Sequence, residues 1–386
     1  MKSKLKITSL ITAAAAISAI AVQAQDSAAT QAADATDSPT LEIPISLSGS
    51  ENPDRVAKIT VSGYAQAQYV YSDTKGSSSQ NSGFNIRRAE ISVKGELDEN
   101  WSAEIGFEID SGKSGGKMNG IFVDKAVIAY KAGSAGTLTA GYQKPSFVME
   151  EYSSSKKALC IEESIASQYF NSIAGLSGRH GGVWWDGSVG DFTYGVAFTN
   201  SNTNDFDEDS CGYAFYGNIG YKLRADNVSV ELGLNATYNS GEDDRSSSAP
   251  AGNVYGFEPF AKITSGGFTG ILDALCADGD NDVLSHFVFG INATAAYRME
   301  NNFEPVVRVS YLNAGDNANV NAGLLKNVPD GGYANHENAV AAYIGVNYYA
   351  NKYVKLSAGY EYAKLSGGSA PAEYSNSVRL QVQVAF

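Results

Sequence analysis

Cysteine is scarce in this chain: Cys160, Cys211 and Cys276 are the only three in 386 residues, too few and too odd in number for a disulfide-stapled scaffold. Cys211 and Cys276 are spaced so that they can pair in an oxidising compartment, and three unbonded thiols fit the spacing equally well. Histidine is as rare. His180, His286 and His336 fall on separate elements with no serine motif beside them, so a nucleophile, base and orienting group have nowhere to assemble, and the chain does not read as an enzyme. Cations are outnumbered, 28 Lys+Arg against 42 Asp+Glu, and a net charge of −14 repels phosphate backbones, which excludes nucleic acid as a partner. After the N-terminus no stretch reaches the roughly 18 uninterrupted apolar residues of a membrane helix. A helical membrane protein is excluded; a membrane protein is not.

What is present begins with "MKSKLKITSLITAAAAISAIAVQAQ", early lysines followed by a short apolar run and a small-residue site ending at Ala24. This pattern predicts a cleaved export signal over 1–24, whose removal takes three lysines and no acid and leaves a charge of −17. Residues 25–55, rich in Ala, Asp, Ser and Thr, read as a flexible periplasmic leader. From Val56 to Phe386 the texture is uniform, with no domain boundary.

That texture is alternation. In "KITVSGYAQAQYVYS" Ile59, Val61, Ala65, Ala67, Tyr69 and Tyr71 share one face, and Thr60, Ser62, Tyr64, Gln66 and Gln68 the other. "RAEISVKGEL" and "NVSVELGLNATYN" repeat the pattern. The chain divides into about sixteen such strands, starting near 56, 84, 101, 122, 137, 179, 192, 212, 228, 254, 267, 284, 303, 338, 353 and 374. Their connections alternate in length. Short turns at 98–100, 132–136, 188–190, 224–227, 264–266, 300–302 and 350–352 separate longer loops at 73–83, 111–120, 145–178, 200–211, 240–253, 277–283, 314–337 and 365–373. This asymmetry predicts a transmembrane antiparallel β-barrel of the outer-membrane kind, with short periplasmic turns and long external loops. Outward aromatics sort to two levels: Tyr71, Tyr142, Tyr238, Tyr311 and Tyr362 near the long-loop ends, and Tyr130, Phe192, Tyr221, Tyr297, Tyr348 and Phe386 near the short-turn ends.

The stretch "GFNIRRAEISVKGELDENWSAEIGFEID", with "DKAVIAYKAG", "GTLTAGYQKPSFVMEEYSSSK" and "LSGRHGGVWWDG" after it, resembles the phosphate-selective porin O and P family of outer-membrane channels. The resemblance covers about residues 56–200 well and the C-terminal half by barrel pattern alone. It implies a sixteen-stranded porin in the cell outer membrane of a Gram-negative-type envelope. It further implies a homotrimer, a lumen passing small ions and solutes, anions such as phosphate among them, and one long loop folded inward. The matching loop is 145–178, with Lys144, Lys156 and Lys157 as its candidate constriction cations and Glu150, Glu151, Glu162 and Glu163 beside them.

Strand parity supplies the inward charges: Arg88, Lys94, Lys125, Lys222, Lys262, Arg298, Arg308, Lys355 and Arg379 against Glu90, Glu96, Glu104, Glu108, Asp110, Glu231, Glu258, Glu304 and Glu361. Four of the nine cations are arginine, whose planar fork suits phosphate, and the acids equal them in number. The expected pore-lining set is therefore Arg88, Lys94, Lys125, Lys144, Lys156, Lys157, Arg298, Arg308, Lys355 and Arg379. Acids gathered in 204–210, 242–244 and 278–282 read as solvated loop charge, and neither a metal nor a cofactor is expected. The other reading of the same pattern is a sealed structural or adhesive barrel that works through its acidic loops. The chain stops on "SVRLQVQVAF", a strand ending on Phe386. Lipid does not tolerate an open sheet edge, so this strand is expected to close the ring against the first, facing outer-membrane lipid. Its terminal aromatic resembles the signal read by the barrel-assembly machinery.

Overall fold

Residues that alternate at a period of two, interrupted by turn residues, form one continuous antiparallel sheet in the computed structural model, which describes residues 43–46, 56–75, 80–110, 120–201, 212–241, 252–280, 284–317, 319–326, 328, 336–368 and 371–386. Its strands are β1 (Ile43–Ser46), β2 (Val56–Thr74), β3 (Gln80–Glu96), β4 (Trp101–Asp110), β5 (Gly120–Lys131), β6 (Thr137–Gln143), β7 (His180–Val189), β8 (Phe192–Asn200) and β9 (Tyr213–Ala225). They continue as β10 (Val228–Gly241), β11 (Gly252–Ser265), β12 (Phe268–Gly279), β13 (Val288–Tyr297), β14 (Phe303–Asn313), β15 (Asn338–Tyr349), β16 (Val354–Ser366) and β17 (Glu373–Ala385). Each strand from β2 to β17 pairs with its sequence neighbours, and β17 returns to β2 in a register running from Ser375↔Thr74 to Ala385↔Tyr64. Gly63 and Phe386 exchange backbone hydrogen bonds of 2.8 and 2.9 Å, which pins the C-terminus into the seam. The result is a closed sixteen-stranded barrel, all sixteen strands starting within a few residues of the expected positions.

The small strand β1 lies inside the stretch expected as leader and pairs with the start of β2, from Ile43↔Ile59 to Ser46↔Val56. It covers the part of β2 that projects beyond Phe386 and would otherwise present unpaired N–H and C=O groups. The expected export signal, Cys211 and the acidic stretches 204–210 and 242–244 lie outside the described residues. Cys160 and Cys276 are free thiols.

Alternation sets the two faces of the wall. On β2, Tyr64, Gln66, Gln68, Val70, Ser72 and Thr74 are buried toward the interior, while Ala65 and Ala67 are exposed outward. The outer surface carries Leu232, Ile263, Val307, Val309, Ile344, Val382 and Val384, all large apolar side chains left exposed, as a lipid-facing band requires. The expected girdle residues Tyr238 and Tyr362 at one level, and Phe192, Tyr221, Tyr297 and Phe386 at the other, are exposed as well. Tyr142 departs from its expected outward position and is 4% exposed. It follows Gly141, whose φ of +134° breaks the regular pleat of β6, and a Cβ at Gly141 would stand 2.1 Å from the Ala126 carbonyl.

Candidate functional site

The segment between β6 and β7 folds into the barrel. It carries α1 (Met149–Tyr152), a single turn, and α2 (Ile165–Ser172), capped by the Ser164 side chain, which accepts from the Ser167 N–H. An inner wall facing water is normally polar, yet here Phe147, Val148, Ile165, Tyr169, Phe170 and Leu176 are buried against Trp184, Tyr216, Leu275, Leu312 and Leu365 of the wall and Val320 and Leu324 of the 314–337 loop. Each such large side chain contributes about 1.5–3 kcal/mol on full burial. Two glycines make room: a Cβ at Gly256 on β11 would stand 2.8 Å from the Phe147 ring, and one at Gly290 on β13 would stand 2.9 Å from Ala166 of α2.

Ionic contacts complete the attachment. Arg308 of β14 donates to Glu150 Oε1 at 2.8 Å, to the Glu162 carbonyl at 2.8 Å and to Glu361 Oε1 at 3.0 Å. Arg379 of β17 donates to the other oxygen of Glu361 at 2.9 Å. Glu258 of β11 accepts the Met149 N–H at 2.6 Å, and Lys355 of β16 donates to the Ala158 carbonyl at 3.0 Å. Asn292 and Asn347, on β13 and β15, reach Ser167 and the Leu159 carbonyl. The loop thus packs against β7, β9 and the β11–β17 stretch of the wall, while β3 to β5 keep partly exposed charges.

Along β3 to β5 two β-bulges set the chemistry. Along β2 and β3 the register jumps between Gln66↔Arg88 and Ala67↔Ile86, leaving Arg87 as the extra residue. Along β4 and β5 it jumps between Gly106↔Lys125 and Phe107↔Val123, leaving Asp124 extra. A bulge re-aims the inserted residue, so Arg87 and Arg88, and likewise Asp124 and Lys125, all turn inward although they are adjacent in sequence. Arg87 forms a two-pronged pair with Glu162, at 2.7 and 2.9 Å. Arg88 stands 3.5 Å from Glu163. Arg179, just before β7, bonds Glu108 at 2.7 Å and the Asp124 carboxylate, while Lys125 pairs with Glu104 at 2.9 Å. Lys144 meets Glu151 at 2.8 Å.

Within the loop the carboxyls titrate differently. Burial alone would raise Glu162, but the guanidiniums of Arg87 and Arg88 outweigh it and hold the carboxyl well below the usual range. Glu163 moves the other way: burial, then repulsion by Glu151, pushes it up to about 8 despite Arg88 and Lys144. The folded protein therefore keeps a proton on Glu163 that an unfolded chain releases, so stability declines as pH rises from the ordinary carboxylate range through about 8. Raising the pH from 7 to 9 adds a negative charge beside Arg88. The cation-to-anion permeability ratio should then rise by about twofold, and E163Q should abolish that rise in planar-bilayer recordings. A wild-type ratio flat across this window would refute the assignment.

The ten expected pore residues separate into three groups and a single residue, Arg298. Arg88, Arg308, Arg379 and Lys355 point inward and are buried beneath or beside the loop, each 8% exposed or less. Lys94, Lys125 and Lys144 are half-exposed and paired with Glu96, Glu104 and Glu151. Lys156 and Lys157 gather at the short-turn side with Lys355, Lys352, Tyr349, Tyr353 and Gln383 around one cavity. Arg298 sits one residue past β13, its guanidinium 3.3 Å from the centre of the Tyr349 ring. Strict alternation missed Arg87 and Asp124, because it assigns one residue of each adjacent charged pair to lipid. That assignment was itself the signal: a charge on the lipid face costs about 2–4 kcal/mol at mid-bilayer, so a bulge was the cheaper solution.

A closed sixteen-stranded barrel with an apolar exterior and a charged loop folded into its lumen defines an outer-membrane porin, a passive channel rather than an enzyme. Residues 59–249 match the family model of the phosphate-selective porin O and P. The match extends past the 56–200 over which the resemblance was legible. The fold is shared with an anion-selective porin from Comamonas acidovorans, at a TM-score of 0.56 and 14% identity over 86% of this chain and 100% of that one. OprB of Pseudomonas putida aligns at 0.62 and 12% identity, covering 85% and 94%. OmpT of Vibrio cholerae, in a trimer form, aligns at 0.57 and 13%, covering 85% and 99%. No curated protein sequence matches the chain.

Proposed function

We propose that this porin passes small ions and solutes of both signs, phosphate among them, through the aperture left between loop 145–178 and the β3–β5 wall, with weak selectivity. The observation that carries this reading is charge matching: Arg87, Arg179, Arg308 and Arg379 each lie against a carboxylate, and Arg88 lies 3.8 Å from the Glu162 carboxylate that Arg87 holds. An arginine whose fork already holds a carboxylate has no free face for a passing phosphate. Lys156, Lys157, Lys352 and Lys355 around the short-turn cavity give that mouth a local positive field, which gathers anions without holding them. Arg88, Lys94, Lys125, Lys144, Arg298, Arg308 and Arg379 act in this reading mainly by shaping and balancing the lumen. The exported, outer-membrane trimer implied by the family resemblance, with 1–24 removed and β17 recognised during assembly, is part of the same proposal; the trimer form of the structurally similar OmpT supports it.

The test is recording in planar bilayers. Wild-type protein should give stepwise currents, a reversal potential near zero in a potassium chloride gradient, and little block by added phosphate. Strong anion selectivity with phosphate block would replace weak selectivity by a phosphate-specific channel. Absence of any stepwise current would favour the sealed barrel instead.

A further inference from the structure

The carboxylate of Glu162 is held in an unusual way for a loop residue inside a channel. It is 4% exposed, and it receives Arg87 Nε at 2.7 Å on one oxygen and Arg87 Nη2 at 2.9 Å on the other. Gln68 Nε2 of β2 donates to its first oxygen at 3.0 Å, and Arg88 Nη2 lies 3.8 Å from its second. Three donors in hydrogen-bond reach, two of them a guanidinium fork, surround one planar oxyanion, and the fork exists because the β3 bulge turns both arginines inward. The loop arrives at this receptor with its far side anchored elsewhere: the Glu162 backbone carbonyl is held by Arg308 on β14. Glu162 therefore links β14 to β3, main chain to one and side chain to the other.

We propose that Glu162 is the specificity-determining residue of this channel: its carboxylate occupies the Arg87–Arg88 receptor as a tethered stand-in for a mobile anion and offsets one of the two positive charges that would make the constriction anion-selective. This deepens the weak-selectivity reading above and rests on it. Neighbouring Glu163 and Glu151 do not substitute for it. Glu163 approaches only Arg88, at 3.5 Å, and Glu151 is engaged by Lys144. With Glu162 neutral, the guanidinium fork keeps its position on the bulge and loses the carboxylate that compensates it.

The experiment is the reversal potential of E162Q, R87Q and R87Q/E162Q channels in a potassium chloride gradient at pH 7. E162Q should raise the chloride-to-potassium permeability ratio by about three- to tenfold, the scale on which uncompensated charge in a low-dielectric constriction concentrates counter-ions. R87Q leaves Glu162 ionised and should shift the ratio toward potassium; R87Q/E162Q should bring it back by at least half of that shift. Glu162's charge is read twice, as E162Q against wild type and as R87Q/E162Q against R87Q, so if one single variant fails to assemble the other comparison decides. A ratio that does not move in the assembled comparison overturns the role of Glu162 and leaves the porin reading intact. If wild-type protein gives no current either, the channel reading itself fails.

Discussion

Replacing Arg308 by alanine should release loop 145–178 from the β14 wall and raise the single-channel conductance by roughly two- to threefold. Arg308 is 2% exposed, and its guanidinium joins two loop positions, the Glu150 side chain and the Glu162 carbonyl, to a wall carboxylate. Deleting one partner of a buried ionic network leaves the others desolvated and unpaired, a loss of about 3–5 kcal/mol. Glu361 keeps Arg379 at 2.9 Å, so the wall itself survives, and the cost falls on Glu150 and the loop backbone. The barrel should therefore assemble normally, resist protease in its strands, and become cleavable within 145–178. The hydrophobic contacts of Phe147, Tyr169 and Phe170 oppose release, which is why the expected change is a wider, noisier pore rather than an empty one. Unchanged conductance with a protease-resistant loop would show that apolar packing alone holds the segment.

A second large effect is expected outside the barrel. Ile344 lies mid-way along β15, is 61% exposed, and has Val307 of β14 and Tyr360 of β16 as its direct cross-strand neighbours, both exposed too. In water such a cluster would be a liability; in a bilayer it is the solvation layer. Ile344→Arg should lower the stability of the membrane-inserted barrel by about 2–4 kcal/mol, a cost that falls toward zero near the interfaces. Urea titration of refolding into phospholipid vesicles measures it as a lower midpoint at unchanged slope. An Ile344→Arg barrel as stable as wild type would mean that this face does not meet lipid.

Much of the architecture was legible because a barrel wall repeats one local rule. Each strand must put alternate side chains into lipid, so the apolar period of two appears wherever a strand crosses, and the turns at one end stay short. The seam was legible for a related reason: "SVRLQVQVAF" obeys the same rule to its last residue, and Phe386 indeed meets Gly63 of the first barrel strand. The site was less legible. Arg87-Arg88 and Asp124-Lys125 violate alternation, and nothing local says whether the pair marks a bulge, a strand end or an error of register; the answer lies in the partner strands. Loop 145–178 was identifiable by its length and its family likeness. Its attachments were not, since the Glu150–Arg308 contact spans 158 residues and the Glu162–Arg87 contact 75.

The amino-acid order by itself determined a closed, membrane-spanning barrel of sixteen strands, because solvent and lipid act on each residue independently of distant sequence. Only the tertiary structure decided what the inward charges do. Electrostatic effect depends on which opposite charge lies within a few ångströms, and that is fixed by bulges and by the docking of one loop. Arg308 and Arg379, equal to Arg88 as cations in the sequence, both close on Glu361 once the chain is folded, whereas Arg88 lies beside the Glu162 that Arg87 holds.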